Sequence, residues 1–174
     1  MKKVLQFVSR YDNIYTDQRK ERAMPVEVTT MYRVIRLHNY INIGHDAEQS
    51  VAYRLTGELR KAGNTDFDEG SDVPEFGLSV KSFHFTLTSK ELAGGSYEEM
   101  ADDFFRRCPS KWFAYVTKDG IVYIMTPTEF RQFLDLFHEM DTSSKGFRVI
   151  RGKREPKAMM QWLDSLEYKS GWGF

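Results

Sequence analysis

The chain has one cysteine, Cys108, in 174 residues. It can therefore form no intramolecular disulfide and cannot build a zinc site from cysteine thiolates. Its histidines, His38, His45, His84 and His138, are scattered, and none has the close neighbour that a metal pair on one helix requires. No apolar run approaches the ~20 residues of a membrane-spanning helix. The opening MKKVLQFVSRYDNIY turns polar too soon for a secretory leader, so a cytoplasmic protein with no membrane partner is expected. Excess charge is missing as well, because 25 basic residues balance 25 acidic ones. A neutral chain has no bulk attraction for nucleic acid, so binding of that kind needs a local patch; the balance also argues against an acidic mimic of DNA. Internal repeats and low-complexity tracts are absent.

Apolar residues are plentiful, with 41% hydrophobic and 14% aromatic, enough to bury the core of one domain. The first forty residues are the least patterned. Val4, Leu5, Phe7 and Val8 suggest a short strand, residues 18–22 a solvated charged stretch, and residues 26–37 an extended or helical segment entered at Pro25. Asp46 with Gln49 reads as an N-cap and capping box, and Ala47, Val51, Ala52, Leu55 and Leu59 supply an apolar face. A helix over 46–60 follows, ending near Gly57 or Gly63. After a polar loop over 64–71, two strands are joined by the turn sequence Pro74-Glu75-Phe76-Gly77, the second strand covering 78–88.

Ala93-Gly94-Gly95 interrupts the chain, and Ser96 with Glu99 forms another capping box before a helix over 97–107 that Pro109 stops. Strands over 112–117 and 121–126 flank the hairpin sequence Lys118-Asp119-Gly120. Thr126, Pro127 and Glu129 combine an N-cap, a first-turn proline and a box-closing glutamate, which predicts a helix running to about Met140. Its core face is Phe130, Phe133, Leu134 and Phe137. A basic strand over 147–151 and an amphipathic helix from Pro156 to about Tyr168 complete the chain. The expected class is α/β (α+β), a single domain with a mixed central β-sheet flanked by helices.

The hairpin over 72–81 carries the chemistry. With 74–77 as the loop, Val73 lies opposite Leu78 and Asp72 opposite Ser79. Side chains alternate along a strand, so Lys81 shares that face while Val80 and Ser82 take the other. Continuing the count puts Phe83, Phe85 and Leu87 on the Lys81 face. A lysine heading an apolar stripe needs a partner, because burying an unpaired ammonium is costly, and Asp72 is the nearest. Glu48 lines up with Ala52, Leu55 and Leu59 on the preceding helix, at the edge of its buried stripe.

Glu48 in a first helix, then Gly70-Ser71-Asp72-Val73, then Leu78-Ser79-Val80-Lys81-Ser82 resembles the PD-(D/E)xK nuclease superfamily, which includes Holliday-junction resolvases and many restriction enzymes. The resemblance covers residues 45–126. It implies a restriction-endonuclease-like fold with an N-terminal extension over 1–44, a nuclease-like core over 45–126 and a C-terminal helix-strand-helix over 127–174. The activity implied is endonucleolytic hydrolysis of phosphodiester bonds, with DNA the favoured substrate and Mg²⁺ or Mn²⁺ as cofactor. Clustered carboxylates hold such an ion, which lowers the pKa of a water and relieves charge on the phosphate, while a neighbouring lysine stabilises the charge that develops. By the resemblance Asp72 is the central metal ligand, Glu48 a second ligand, the Val80 carbonyl a further one, and Lys81 the catalytic lysine.

One position departs from the pattern: Ser79 stands where the superfamily usually has Glu or Asp. Some restriction enzymes resemble this Ser-x-Lys form and recruit a carboxylate from elsewhere, for which Glu48, Glu75 and Glu91 are the candidates here. The alternative is a catalytically inactive nuclease-like protein, an accessory or inhibitory protein of a mobile element that binds nucleic acid or another protein. Lys145, Arg148, Arg151, Lys153 and Arg154 place five basic residues within ten. They read either as a solvated face or as a nucleic-acid-binding patch that tracks phosphates, which Lys90 and Arg106-Arg107 would extend. No recognition helix or zinc-finger pattern is present, so sequence-specific readout is not expected. His84 reads as structural and Cys108 as packing; His45 is a loop residue or a neighbour of Glu48. The oligomeric state is open, a homodimer among the options.

Overall fold

The computed structural model describes residues 6–7, 26–27, 33–37, 44–57, 71–89 and 91–168. In chain order these form β1 (Gln6–Phe7), β2 (Val26–Glu27), β3 (Val34–Arg36), α1 (Gly44–Thr56), β4 (Leu78–Ser82), β5 (Thr86–Leu87), α2 (Tyr97–Arg107), β6 (Trp112–Val116), β7 (Ile121–Met125), α3 (Pro127–Leu136), β8 (His138–Asp141), β9 (Gly146–Val149) and α4 (Lys157–Asp164). Short 3₁₀ turns cover Pro74–Phe76 and Ser165–Tyr168.

Two of the three expected capping boxes form. The Glu99 N–H donates to Ser96 Oγ at 3.3 Å and the Ser96 N–H to Glu99 Oε2 at 3.0 Å, which starts α2. Thr126 and Glu129 repeat the arrangement at 3.2 and 3.0 Å for α3. Each box satisfies two of the amide donors that a helix start leaves without intrahelical partners.

The main sheet has the order β3-β7-β6-β4. β4 runs parallel to β6, with α2 in the connection between them, and the other pairs are antiparallel. The β4–β6 register sets Ser79 beside Phe113, Val80 beside Ala114 and Lys81 beside Tyr115. Alternation then divides the sheet between two cores. Leu78, Val80, Ala114, Val116, Val122 and Ile124 pack with Ala47, Val51, Ala52 and Leu55 of α1. Phe113, Tyr115, Tyr123 and Met125 pack on the other side with Met100 of α2, Phe130 and Phe133 of α3, and Met159 and Leu163 of α4. Phe113 and Phe130 stack at 4.6 Å between centroids. A second, antiparallel sheet of order β5-β9-β8 contributes Leu87 and Val149 to this aromatic core. The result is one α/β domain with a mixed sheet between helical layers.

Several boundaries differ from expectation. α1 begins at Gly44, so Asp46 lies within its first turn and is not the N-cap. The helix stops at Thr56, short of residue 60 but at the first of the two expected stops, where Gly57 takes φ +76° and its N–H donates to the Tyr53 carbonyl at 2.8 Å. The first strand of the 72–81 hairpin shrinks to one bridge, Val73 with Leu78. The strand expected over 78–88 breaks after Ser82, whose carbonyl accepts the Phe85 N–H at 2.8 Å. β5 then leaves the main sheet to pair with β9.

The helix expected to reach Met140 ends at Leu136, and His138–Asp141 forms β8. A turn brings β8 back along β9: Asp141 accepts the Ser143 N–H and hydroxyl at 3.2 and 2.6 Å and the Ser144 hydroxyl at 2.8 Å. These hydroxyls hold the Asp141 carboxyl below its ordinary value. Gly146 is required there, since a Cβ would collide with the Leu87 carbonyl of β5. β9 itself spans Gly146–Val149 where 147–151 was expected, and the final helix gives way to a 3₁₀ turn after Asp164. The expected strand near Phe7 appears as β1 paired with β2, and the 26–37 segment yields β2 and β3. Residues 18–22 lie outside the described residues.

Candidate functional site

β4 is an edge strand of the main sheet, and its outer side carries only the Val73–Leu78 bridge among the described residues. In that bridge the Val73 N–H donates to the Leu78 carbonyl at 2.9 Å and the Leu78 N–H returns to Val73 at 3.2 Å. One residue outward, Asp72 falls opposite Ser79. The Asp72 side chain then takes the next place in the ladder: its Oδ2 accepts the Val80 N–H at 2.6 Å and the Ser79 hydroxyl at 3.2 Å. A backbone carbonyl would otherwise accept that amide, so the carboxylate ends the strand pairing.

Lys81 finds its partners on the same side. Its Nζ lies 3.8 Å from Asp72 Oδ2 and 5.9 Å from the ring centroids of both Phe85 and Phe104. The ammonium thus sits between a carboxylate and two aromatic rings, which answers the need that the apolar stripe created. The Lys81 and Asp72 side chains retain 18% and 20% exposure, enough for a ligand to reach both.

One acceptor in this group remains available. Asp72 Oδ1 accepts no hydrogen bond among the described residues, since Oδ2 takes the Val80 and Ser79 donors and the lysine contact. A second oxygen stands nearby for a geometric reason: the N–H and C=O of a strand residue project to the same side. The Val80 N–H projects from the open edge to Asp72, and the Val80 carbonyl therefore projects from that edge as well.

Behind the carboxylate, the buried Ser79 Oγ is 3.6 Å from Cys108 Sγ, and Cys108 is in turn 3.6 Å from Ser110 Oγ. Cys108, which the sequence marks as packing, thus lies within reach of two hydroxyls. It reaches Ser79 because α2 ends where β6 starts, and β6 runs parallel beside β4; the Gly77 carbonyl accepts the Lys111 and Trp112 amides at 2.9 and 3.0 Å. The length of the crossover carries this neighbour, and no motif marks it.

Asp72, Ser79, Val80 and Lys81 are therefore brought together, and Glu48 stands on α1. Glu48 is half-buried on α1, which packs under Leu78 and Val80; Ser79 and Lys81 project from the other face of β4. Glu75 is exposed in the turn before β4, and Glu91 is exposed after β5. Among the described residues no group of three or more His, Cys, Asp or Glu side chains is close enough to share a metal ion.

The basic stretch divides. Arg148 Nε donates to Glu139 Oε1 at 2.8 Å across the β8–β9 pair. Lys145 sits in the turn before β9, and Arg151, Lys153 and Arg154 follow its other end. Arg106 and Arg107 both pair with Asp103, and Lys90 lies outside the described residues. His84 is exposed and its Nδ1 lies 3.2 Å from Arg151 Nη1. His138 stacks on Tyr97 at 3.7 Å, and the Tyr97 hydroxyl donates to Asp135 at 2.8 Å. Burial, reinforced by Asp135, pushes the Tyr97 phenol well above its ordinary range. The His45 side chain lies outside the described residues.

Among the described residues no helix is long and apolar enough to cross a membrane. No protein family, curated protein or solved structure matches the chain.

Proposed function

We propose that this protein is a metal-dependent nuclease of the PD-(D/E)xK kind on a restriction-endonuclease-like fold, cleaving phosphodiester bonds, with DNA as the favoured substrate. The observation that carries the reading is the β4 edge, where one Asp72 oxygen has no partner among the described residues and the Lys81 ammonium stands 3.8 Å from the other. The donor set suits Mg²⁺ or Mn²⁺: Asp72 Oδ1 and the Val80 carbonyl are hard oxygens, and protein sites for Mg²⁺ commonly supply only one or two carboxylates. When bound, the ion would lower the pKa of a water and offset charge on the scissile phosphate.

The chain's own residues supply orientation and charge. The Val80 amide and Ser79 hydroxyl fix the Asp72 carboxylate, so it needs no rearrangement to act as a ligand. Lys81, steadied by Phe85 and Phe104, offers ammonium protons to a phosphate oxygen as negative charge builds there.

A second reading is favoured by one observation: Ser79 donates its hydroxyl to Asp72, and the described residues contain no three-ligand cluster. In that reading the protein is an inactive nuclease-like accessory or inhibitory protein of a mobile element, whose partner is nucleic acid or another protein. The test is incubation with labelled linear, supercoiled, single-stranded and branched DNA, and with RNA, in Mg²⁺, Mn²⁺ or EDTA. Cleavage that requires metal and falls by about 10²–10³ or more in Asp72→Ala and Lys81→Ala is the expected result. Intact substrates in every condition, with the wild type folded, would transfer the case to the second reading.

A further inference from the structure

Three turns meet beyond the C-terminal ends of the parallel strands β4 and β6. One leaves β4 at Phe83-His84, one joins β6 to β7 through Lys118-Asp119-Gly120, and one leads from β9 to α4. Specific contacts bind them together. Arg151 Nη1 lies 3.2 Å from His84 Nδ1, Lys118 Nζ donates to the Lys153 carbonyl at 2.6 Å, and the Lys118 N–H donates to Glu155 Oε1 at 2.7 Å. The Lys118 ammonium also lies 6.0 Å from the ring centroid of Phe83.

The product is a rim on which Lys118, Arg151, Lys153 and Arg154 stand with His84, all exposed except the half-buried Arg151. The acids beside them are Asp119 and Glu155, and Glu155 is already engaged by the Lys118 amide. Four cations against two carboxylates make a local positive surface on a chain that is neutral overall. Donor capacity remains: the Arg151 guanidinium has five N–H groups and the Lys118 ammonium three, and each makes one of the polar contacts named above. The position is also the one where open α/β sheets receive ligands, outside the carboxyl ends of parallel strands.

We infer that this rim is a second phosphate-binding subsite, and that its ligand is the sugar–phosphate backbone of the nucleic acid whose scissile bond lies at the Asp72 edge. The continuation of one strand between the two places rests on the nuclease reading; the charge of the rim does not. Lys81 and His84 are three residues apart, so their backbones are separated by no more than about 11 Å. At about 3.4 Å of rise per phosphate along one strand, that is a span of roughly three nucleotides. The basic residues adjacent in sequence therefore do different things. Arg151, Lys153 and Arg154 join Lys118 and His84 in the rim, while Arg148 is held by Glu139 and Lys145 stands at the far end of β9. Contacts of this kind hold the backbone without reading bases.

The experiment is fluorescence anisotropy of labelled duplex DNA in EDTA, so that binding is separated from cleavage, with salt varied from about 50 to 200 mM. Lys153→Ala/Arg154→Ala is compared with Lys145→Ala/Arg148→Ala, each checked for folding by circular dichroism. The expected result is a decrease in the slope of log affinity against log salt of about 0.9 per lost phosphate contact, confined to the rim variant. A rim variant with the wild-type slope, equal losses in both variants, or binding of phosphatidylserine vesicles but no DNA would overturn the subsite. If the slope falls while no metal supports cleavage, the rim stands and the nuclease reading fails. If the slope is unchanged while the wild type cleaves, the reverse holds.

Discussion

The two edges of the main sheet each hold a carboxylate–cation pair, and the pairs are used differently. At the β3 edge, Arg33 is 7% exposed; its Nε donates to the Ile124 carbonyl at 3.1 Å and its fork engages both oxygens of Glu129. Glu129 Oε2 accepts the Thr126 N–H as well, at 3.0 Å. Burial works to raise the Glu129 carboxyl, but Arg33 and Thr126 outweigh it and hold the group below its ordinary value. At the β4 edge a single oxygen of Asp72 takes every contact and the other takes none among the described residues. A saturated pair locks β3 to the start of α3; a half-used pair leaves a place for a ligand. The same two charge types thus make a brace at one edge and a candidate site at the other.

The largest effect expected is on the brace. Glu129→Ala leaves the Arg33 guanidinium buried without its partner and should cost about 3–5 kcal/mol in urea unfolding. A loss under about 1 kcal/mol, the range of an exposed pair, would erase the distinction between the two edges. The pH dependence sharpens it. A carboxyl held low in the folded state stabilises above its unfolded value, 4.5, and that stability is lost as pH falls through the lower folded value. The stability gap between wild type and Glu129→Gln should therefore be full at about pH 6 and narrow toward about pH 3. A gap that widens on acidification would contradict the assignment.

At the open edge the expected changes are smaller and respond to metal. Ser79 Oγ is 3.2 Å from Asp72 Oδ2, so Ser79→Asp sets two carboxylates against each other at a buried position. In EDTA this should cost about 1–3 kcal/mol, and Mg²⁺ should recover most of it, read as a rise in Tm. A Tm indifferent to Mg²⁺ would count against a cation site there. Smallest is Asp72→Asn, whose side-chain oxygen still accepts the Val80 amide; stability should change by about 1 kcal/mol or less.

What was legible in the sequence follows from the range of the interactions. The Ser96–Glu99 and Thr126–Glu129 boxes close within three residues, so composition alone reveals them. The facing of Asp72, Ser79 and Lys81 came from one turn and strict alternation, and the Val73–Leu78 bridge keeps that count. Alternation fails at Phe83, two residues after Lys81. The Ser82–Phe85 turn sends Phe83 toward Lys118, while Phe85 and Leu87 join the aromatic core. The end of α3 was misplaced because β8 exists through its pairing with β9, and that pairing also commits Arg148 to Glu139. The helix-period apolar pattern through Phe137 gives no warning of it. The Arg33–Glu129 brace joins residues 96 positions apart, so no local pattern could announce it. The approach of Cys108 to Ser79 likewise depends on how α2 returns the chain to β6.

The most direct test of a cation site at the β4 edge is a Mn²⁺ titration followed by electron paramagnetic resonance, on wild type and Asp72→Asn. The expected result is uptake of Mn²⁺ by the wild type, displaced by excess Mg²⁺ and lost in Asp72→Asn while the fold is kept. Equal uptake by the two proteins, or none by either, would contradict the assignment of Asp72 as a metal ligand.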